Sequence, residues 1–235
     1  MIDDRFTRTA MLLGESGIDI LKKSRVAVFG LGGVGSFAAE ALVRCGVGEI
    51  DLFDGDIVDI TNINRQLIAL SDTLGEPKTE VMENRIAKIN ENCKVKSNHV
   101  FFDSSNCGDY DFSEYSYVVD AIDTISSKLL IISMAVNAGV RVISSMGTGN
   151  KLNPCDLQIA DVYSTENCPL ARVMRRELRK LGIKNLKVVF SKETPKFIPK
   201  LSGESGKRIN SSVAFVPSVA GMIIASEVVK DILGI

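Results

Sequence analysis

Short apolar runs alternate along this chain with longer segments in which apolar residues recur every three or four positions. The runs are typical of buried β-strands, and the segments are typical of helices with one buried face. Strands are predicted at residues 25–29, 49–53, 95–100, 117–121, 141–145, 157–162 and 187–190. Helices are predicted at residues 4–13, 15–22, 33–45, 78–90, 124–138, 169–181 and 216–233.

This alternation predicts an α/β fold with a doubly wound, mainly parallel Rossmann-like sheet and helices on both faces. We expect a single domain over residues 1–235, with a nucleotide-binding part at 1–150 and a substrate-facing part at 151–235, because the pattern changes after Gly147. Residues 192–210 contain Pro, Gly, Ser and Lys without periodicity. This composition predicts a mobile loop, or a segment that becomes ordered when a ligand binds.

The first predicted strand ends in a glycine-rich turn. Gly30, Gly32 and Gly35 have the G-x-G-x-x-G spacing, and a predicted helix follows them. Such a turn brings backbone N–H groups against phosphate oxygens, and the helix N-terminus adds partial positive charge. Asp54 ends the next apolar run about 20 residues later, where a carboxylate can hold a ribose hydroxyl. The chain is therefore predicted to bind a nucleotide.

Three further features favour a triphosphate over the dinucleotide of an oxidoreductase. The run Asn62–Gln66 offers amide groups and a planar guanidinium to phosphate oxygens. Lys78 follows a Gly-Glu-Pro turn at a predicted helix N-terminus, where a cation would face phosphate. Asp120 and Asp123 lie at the carboxyl end of a predicted strand, and Mg²⁺ prefers oxygen ligands of this kind. One of the two carboxylates could merely cap the following helix, so Asp120 stays an alternative. By its position in the motif, Asp123 is the predicted metal residue.

The bulk composition is that of a globular protein. The chain has 235 residues, of which 45% are hydrophobic and 24% charged, and its net charge is -1. We expect a cytoplasmic protein that does not enter a membrane, because no apolar stretch reaches about 18 residues. The five cysteines form no C-x-x-C pair, so neither a disulfide framework nor a structural zinc site is expected.

Positive charge is concentrated in the second half. Residues 165–208 contain twelve Lys/Arg and four Asp/Glu, which predicts an anionic partner. The helix at 169–181 has an apolar stripe formed by Leu170, Val173, Met174, Leu178 and Leu181. Its cations would bind nucleic-acid phosphates or, alternatively, form a solvated face. The predicted nucleic-acid contacts are Arg172, Arg175, Arg176, Arg179 and Lys180, and the loop residues Lys192, Lys196, Lys200, Lys207 and Arg208 could extend them.

The motifs of the first 150 residues resemble those of the ubiquitin-activating-enzyme-like adenylyltransferases, in the same order. The matching segments are Arg5-Phe6-Thr7-Arg8, GLGGVG at 30–35, Asp54 with Asp56, NINRQ at 62–66, GEPK at 75–78 and DAIDT at 120–124. The resemblance implies ATP and Mg²⁺ as cofactors. It also implies a homodimer in which Arg8 reaches the ATP of the other subunit.

The same resemblance implies a role for each site residue. Asp54 would hold the ribose, while Asn62, Arg65 and Lys78 would hold the phosphates and Asp123 the magnesium. Arg8, Arg65, Lys78 and Asp123 would be catalytic. The implied nucleotide-binding residues are Gly30, Gly32, Gly33, Gly35, Asp54, Asp56, Asn62, Arg65, Gln66 and Lys78.

The second half resembles one branch of that family, the bacterial tRNA threonylcarbamoyladenosine dehydratases. The similar segments are SMGTGNK at 145–151, CPLARVMRREL at 168–178 and VVFSKE at 188–193. Family members in the molybdopterin and thiamin pathways usually carry two C-x-x-C pairs in this half, and this sequence has none. The resemblance implies a tRNA carrying threonylcarbamoyladenosine at position 37 as substrate, ATP-dependent cyclisation through an acyl-adenylate, and a sulfur-relay protein as a further partner.

Other functions remain open at this point. One alternative is an adenylyltransferase that activates the C-terminus of a ubiquitin-like sulfur-carrier protein. An NAD-dependent oxidoreductase and a non-catalytic tRNA-binding protein are alternatives from other classes. Cys168 precedes a helix N-terminus and could act as a nucleophile, although ring closure needs no thiol.

Overall fold

A mainly parallel sheet forms the centre of the structure, a computed structural model that describes residues 3–196 and 211–235. Within these residues the strands are β1 (Arg25–Phe29), β2 (Glu49–Phe53), β3 (Lys94–Asn98), β4 (Tyr117–Asp120), β5 (Val142–Ser145), β6 (Leu157–Asp161) and β7 (Lys187–Ser191). They lie in the order β3-β2-β1-β4-β5-β7-β6. The pairs are parallel except β6 with β7, which is antiparallel at one edge.

Helices connect most of these strands. In the described residues they are α1 (Thr7–Leu13), α2 (Glu15–Lys22), α3 (Gly35–Arg44), α4 (Lys78–Ile89), α5 (Ile125–Asn137), α6 (Pro169–Lys180) and α7 (Phe215–Leu233). Val26 and Val28 of β1 share an apolar core with α3, α4 and α7. Ala27 and Phe29 point to the other face, into a core that includes residues of α5. The alternation along β1 therefore buries both faces of the sheet.

The predicted fold class is confirmed. Every predicted strand and helix is present, and the ends move by only a few residues: α3, for example, begins at Gly35 rather than Gly33. The strands of the second half join the same sheet as those of the first, because β7 pairs with β5. The functional division at residue 150 stays a prediction. Of the predicted mobile loop, residues 197–210 lie outside the described residues.

No helix in the described part of the chain is long and apolar enough to cross a lipid bilayer.

Gly35, the third glycine of the motif, packs the start of α3 against the end of β1. A Cβ atom at this position would lie 1.8 Å from the carbonyl oxygen of Gly30, a distance that no side chain can adopt. The helix can begin this close to the strand only because Gly35 lacks a side chain. The glycine turn therefore depends on Gly35 for its shape.

We expect Gly35→Ala to lower the free energy of unfolding by about 1–3 kcal/mol or more, because backbone atoms must move apart to make room. Chemical denaturation would measure the loss. Gly108→Ala is the matched control, since its Cβ would meet nothing within 4 Å. Equal stability of the two variants would contradict this account of the turn.

Candidate active site

A cavity of about 830 Å³ opens beside the glycine turn, at the carboxyl ends of β1, β2 and β4. The strand order reverses between β1 and β4, and doubly wound sheets bind their ligands at such a point. Nine of the ten residues predicted to bind nucleotide line this cavity, and the tenth, Gly35, does not. The nine are Gly30, Gly32, Gly33, Asp54, Asp56, Asn62, Arg65, Gln66 and Lys78.

Asp54 holds the glycine turn in place. Its Oδ2 accepts a hydrogen bond from the Leu31 backbone N–H at 2.6 Å, and its Oδ1 accepts one from the Asp56 N–H at 2.9 Å. Burial raises the pKa of Asp54, and the charge of Lys78 acts in the opposite direction. A carboxylate oxygen can accept more than one hydrogen bond, so Asp54 keeps acceptor capacity for a ligand. Its role at the ribose stays a prediction.

The two predicted phosphate-binding cations differ in their surroundings. Lys78 begins α4 and is almost fully buried, with its Nζ 2.8 Å from Asp56 Oδ2 and 3.9 Å from Asp54 Oδ1. The Arg65 guanidinium donates to the Thr61 carbonyl and to Asn64 Oδ1, and it makes no ion pair with any carboxylate in the described residues. Arg65 therefore brings an uncompensated positive charge to the cavity, whereas the charge of Lys78 is already paired with carboxylates.

Amide side chains of the NINRQ run line the same wall. Asn62 Oδ1 accepts a hydrogen bond from the Asp59 backbone N–H at 3.2 Å, so part of the hydrogen-bonding capacity of Asn62 stabilises the loop. Gln66 is buried, and its Oε1 has no hydrogen-bond partner within the described residues. An unpaired buried acceptor costs about 1–3 kcal/mol. A bound ligand with an N–H or O–H group would remove that cost, which favours occupation of this cavity.

The structure separates the roles of the two carboxylates of DAIDT. Asp120 is fully buried, with Oδ2 2.9 Å from Lys128 Nζ and 2.6 Å from the Ser144 hydroxyl that donates to it. Asp123 is exposed and lines the cavity. Neither caps α5, whose N-cap residue Thr124 makes no side-chain cap bond. Asp123 is thus the carboxylate that a nucleotide would meet, and its role as metal residue stays a prediction.

The donor set suits only a metal that arrives with a nucleotide. The described residues contain no cluster of three or more His, Cys, Asp or Glu side chains able to hold a metal ion. Mg²⁺ is usually held by one or two carboxylates together with substrate phosphates. Asp123 can supply one such carboxylate. The cavity therefore fits a magnesium–triphosphate complex better than a resident metal.

Arg8 does not reach this cavity within its own chain. It is an exposed residue of α1 and is absent from the cavity lining. Its neighbour Arg5 is paired locally, 2.9 Å from Asp3 and 3.2 Å from Glu91. Any contact of Arg8 with nucleotide would require a second copy of the chain.

On the basic helix α6, the Arg175 side chain bonds to the segment that precedes the helix. This side chain does not point outward, because its guanidinium donates to the Thr165 carbonyl at 2.9 Å and to the Thr165 hydroxyl. Thr165 lies in the connection before the helix, so Arg175 holds that connection in place. The sequence pattern gave no sign of this partner, and the predicted contact of Arg175 with nucleic acid stays a prediction.

The other predicted cations of α6 lie at its surface. Arg176 and Lys180 both pair with Glu177, at 2.6 and 2.7 Å, and the Arg179 guanidinium lies 5.1 Å from the centre of the Tyr163 ring. Arg172 is exposed. Their contact with nucleic acid stays a prediction, as it does for the exposed loop residues Lys192 and Lys196. Lys200, Lys207 and Arg208 lie outside the described residues.

The apolar stripe of α6 also needs a correction. Met174 and Leu178 are buried as predicted, but Ala171 is buried as well and Leu181 is 53% exposed. Leu181 follows the last residue of the helix, and the core ends before it.

Cys168 is buried directly before α6 and does not line the cavity. This position disfavours its alternative role as a nucleophile. The five cysteines of the chain are all free in the structure.

Comparison with known proteins places the chain in a family. The family model described as the ThiF family matches residues 6–235. The chain belongs to the ThiF family. Its sequence is 45% identical over 240 residues to the tRNA threonylcarbamoyladenosine dehydratase of Bacillus subtilis strain 168, with 97% of this chain and 94% of that protein covered. The predicted family resemblance is confirmed.

Solved structures agree with this assignment. A crystal structure of the Escherichia coli tRNA N6-threonylcarbamoyladenosine dehydratase in complex with ATP superposes with a TM-score of 0.90 at 33% identity, covering 100% of this chain and 97% of that one. By contrast, the yeast adenylyltransferase and sulfurtransferase UBA4 is 35% identical over 152 residues, which cover 60% of this chain and 34% of that protein. The likeness to dehydratases thus extends over the whole ThiF-family chain.

Sequence reasoning missed several residues of this ThiF-family site. Lys128 is fully buried, and its ammonium also donates to the carbonyl oxygens of Ile122 and Ser145, at 3.1 and 2.9 Å. As the only charged residue of the otherwise mostly apolar α5, it could have been recognised as a buried ion-pair partner. Phe101, Thr148 and Ser212 also line the cavity. Thr148 lies within the SMGTGNK segment but was not singled out there, and Phe101 and Ser212 lie outside the motifs, so neither of these two carries a local signal.

We expect Lys128→Met to destabilise the protein by about 3–5 kcal/mol, because it leaves the Asp120 carboxylate buried without a counter-charge. Thermal or chemical denaturation would measure this loss. The double variant Asp120→Asn/Lys128→Met removes both charges and should recover a large part of the stability. A double variant no more stable than Lys128→Met would show that charge compensation is not the function of Lys128.

Proposed function

We propose that this chain is an ATP-dependent tRNA dehydratase that cyclises the threonylcarbamoyl group of threonylcarbamoyladenosine at position 37 through an acyl-adenylate. The observation that carries the proposal is the end-to-end likeness to the Escherichia coli dehydratase crystallised with ATP. The cavity geometry supports it, since a glycine turn, two cations and an exposed carboxylate surround one space. A carboxylate is a poor electrophile, and a bond between one of its oxygens and the phosphorus of AMP makes its carbon reactive.

In the first step a carboxylate oxygen of the substrate attacks the α-phosphorus of ATP. A new P–O bond forms, the bond to the β-phosphate oxygen breaks, and pyrophosphate leaves with the bonding electrons. Negative charge spreads over the phosphate oxygens during this exchange, and Arg65 and Lys78 are placed to stabilise it. The triphosphate would compete with Asp56 for the ammonium of Lys78, while Arg65 is available at once.

In the second step a nucleophile within the modification attacks the activated acyl carbon. The ring closes, the C–O bond to AMP breaks so that the oxygen removed from the substrate leaves on AMP, and the modification loses one proton to solvent. The attacking group and the acyl carbon belong to one molecule, so the protein has chiefly to hold them in the reactive geometry.

Magnesium is part of the same proposal. Asp123 would hold the ion against the phosphates, and the ion would neutralise charge on the departing pyrophosphate. Asp54 would bind the ribose, and the N–H groups of the glycine turn would bind the phosphates.

The proposal extends to the partners. The enzyme would act as a homodimer, with Arg8 of one chain contacting ATP in the other, and would meet its tRNA in the cytoplasm. The exposed cations of α6 would bind the tRNA backbone. A sulfur-relay protein would be an additional partner.

The decisive experiment is mass spectrometry of nucleosides from modified tRNA incubated with the protein and ATP. Loss of one water from threonylcarbamoyladenosine, together with pyrophosphate and AMP release, is expected. The main rival is activation of a ubiquitin-like sulfur carrier. Pyrophosphate release that responds to such a carrier and ignores modified tRNA would overturn our proposal in favour of that rival.

We expect Arg65→Ala to slow adenylate formation by about 10²-fold, because one charge-stabilising donor is missing in the transition state. Pyrophosphate release measures this step, and tRNA affinity should stay unchanged. Arg44→Ala is the matched control, because Arg44 lies on α3 away from the cavity. Full activity of the Arg65 variant would remove this residue from the catalytic group.

The double variant Arg172→Ala/Arg176→Ala should weaken tRNA binding. The slope of log affinity against log salt should fall by about one for each phosphate that is no longer neutralised. ATP affinity should not change. Lys22→Ala/Lys23→Ala is the control, as it removes two exposed charges elsewhere. An unaltered salt slope would exclude this face of α6 from the tRNA interface.

Arg8→Ala should abolish adenylate formation while leaving the cavity of its own chain intact. When it is mixed with Arg65→Ala chains, activity should rise above that of either variant alone, because each mixed dimer contains one complete site. Activity assays after subunit exchange provide the measurement. An Arg8→Ala protein with full activity, or a monomer with full activity, would contradict the proposed role of Arg8.

A further inference from the structure

A second cavity, of about 510 Å³, lies between α5 and α6 and continues from the nucleotide cavity. Asp103, Ser126 and Ser127 line both spaces. We propose that this second cavity, here named the α5–α6 groove, holds the adenine base that carries the carboxylate to be activated. The inference rests on the proposed function and assigns the part of the substrate that the ATP site leaves unexplained.

The walls of the groove suit a flat aromatic ring with polar edges. Leu129 and Leu130 of α5 face it, and Leu181 closes it from the side of α6. Leu181 is 53% exposed although it continues the apolar stripe of its helix, so its side chain covers the groove instead of joining the core. Ser104 and Ser133 add hydroxyl groups. Single RNA bases are recognised by this combination of apolar surface and hydrogen-bonding groups.

The chemistry of the substrate restricts where the base can lie. The carboxylate is joined to the exocyclic nitrogen of adenine through a carbamoyl group and one carbon, a reach of about 6 Å when extended. The carboxylate must touch the α-phosphate inside the nucleotide cavity. The base must therefore occupy a space that adjoins this cavity. The α5–α6 groove meets the condition, because it begins at Ser126 and Ser127 in the first turn of α5, just after Asp123.

The charges around the groove separate the base from the backbone of the RNA. Asp103 and Glu177 line the groove. Glu177 is paired with Arg176 and Lys180, whereas the Asp103 carboxylate makes no ion pair within the described residues and disfavours a phosphate inside the groove. Lys180 lies at its rim, and the exposed Arg172 and Arg176 are on the same helix. A strand whose phosphates follow α6 would thus place a neutral base, rather than a phosphate, in the groove. The volume is within the range of pockets that enclose a ligand of nucleoside size.

Filling the groove tests the inference. Ser133→Trp places a large side chain in the groove at a residue that does not line the nucleotide cavity. Val136→Trp is the matched control, because Val136 is exposed on the same helix and lines neither space. A second variant, Leu181→Ser, removes one wall at an exposed position. The readouts are the KM for an anticodon stem–loop RNA that carries the modification, the Kd for ATP, and thermal unfolding.

We expect Ser133→Trp to raise the KM for the modified RNA at least about tenfold, since base–side-chain stacking makes a contribution of that order. Leu181→Ser should raise it in the same direction. In both variants the Kd for ATP and the unfolding temperature should equal those of the unsubstituted protein. Val136→Trp should equal the unsubstituted protein in all three measurements.

Two results would overturn the inference while leaving the proposed function intact: an unchanged KM for the modified RNA in both groove variants, or an equal loss of ATP and RNA binding. The proposed function is tested separately, by the activity of the unsubstituted protein alone. A parent that does not dehydrate the modified RNA would overturn both proposals before any variant is compared.

Discussion

The buried ion pair between Asp120 and Lys128 is the interaction on which the site depends. Asp120 ends β4, Lys128 lies one turn inside α5, and the lysine also binds the carbonyl of Ser145 at the end of β5. A lysine without solvent must have its N–H groups bonded, and here a carboxylate and two carbonyls accept them. The turns after two neighbouring strands are thereby joined, and Asp123 is left facing the cavity.

The same cavity contains cations in two different states. Lys78 forms an ion pair with Asp56 and lies 3.9 Å from Asp54. Arg65 instead donates hydrogen bonds only to uncharged oxygens, those of Thr61 and Asn64. A buried lysine without a nearby carboxylate would lose its charge or destabilise the fold. The carboxylates of Asp56 and Asp54 are the counter-charges of the buried Lys78 until an anion replaces them, and Arg65, which is less buried, needs no such partner. Affinity for a triphosphate would reflect this exchange as well as direct attraction.

Two faces of helix α6 have different surroundings. Met174 and Leu178 pack into the core, while the exposed cations face solvent, and Leu181 covers the α5–α6 groove beside the nucleotide cavity. Arg175 belongs to neither group, since it secures the chain before the helix at Thr165. Phosphate recognition and base recognition would then come from adjacent surfaces of one helix. Residues far along the chain from the glycine turn would then contribute to binding of the substrate.

The sequence by itself determined the order of strands and helices, because period-2 and period-3.6 patterns are local properties of the chain. It also identified ten residues of the cavity, nine predicted to bind nucleotide and Asp123, because each lies within a short sequence motif. Only the tertiary structure showed that Asp123 rather than Asp120 lines the cavity, that Arg175 bonds to Thr165 and that Leu181 lies over a groove. Those outcomes depend on Lys128, Thr165 and the neighbouring helix α5, which meet these residues in space through packing that no local pattern encodes.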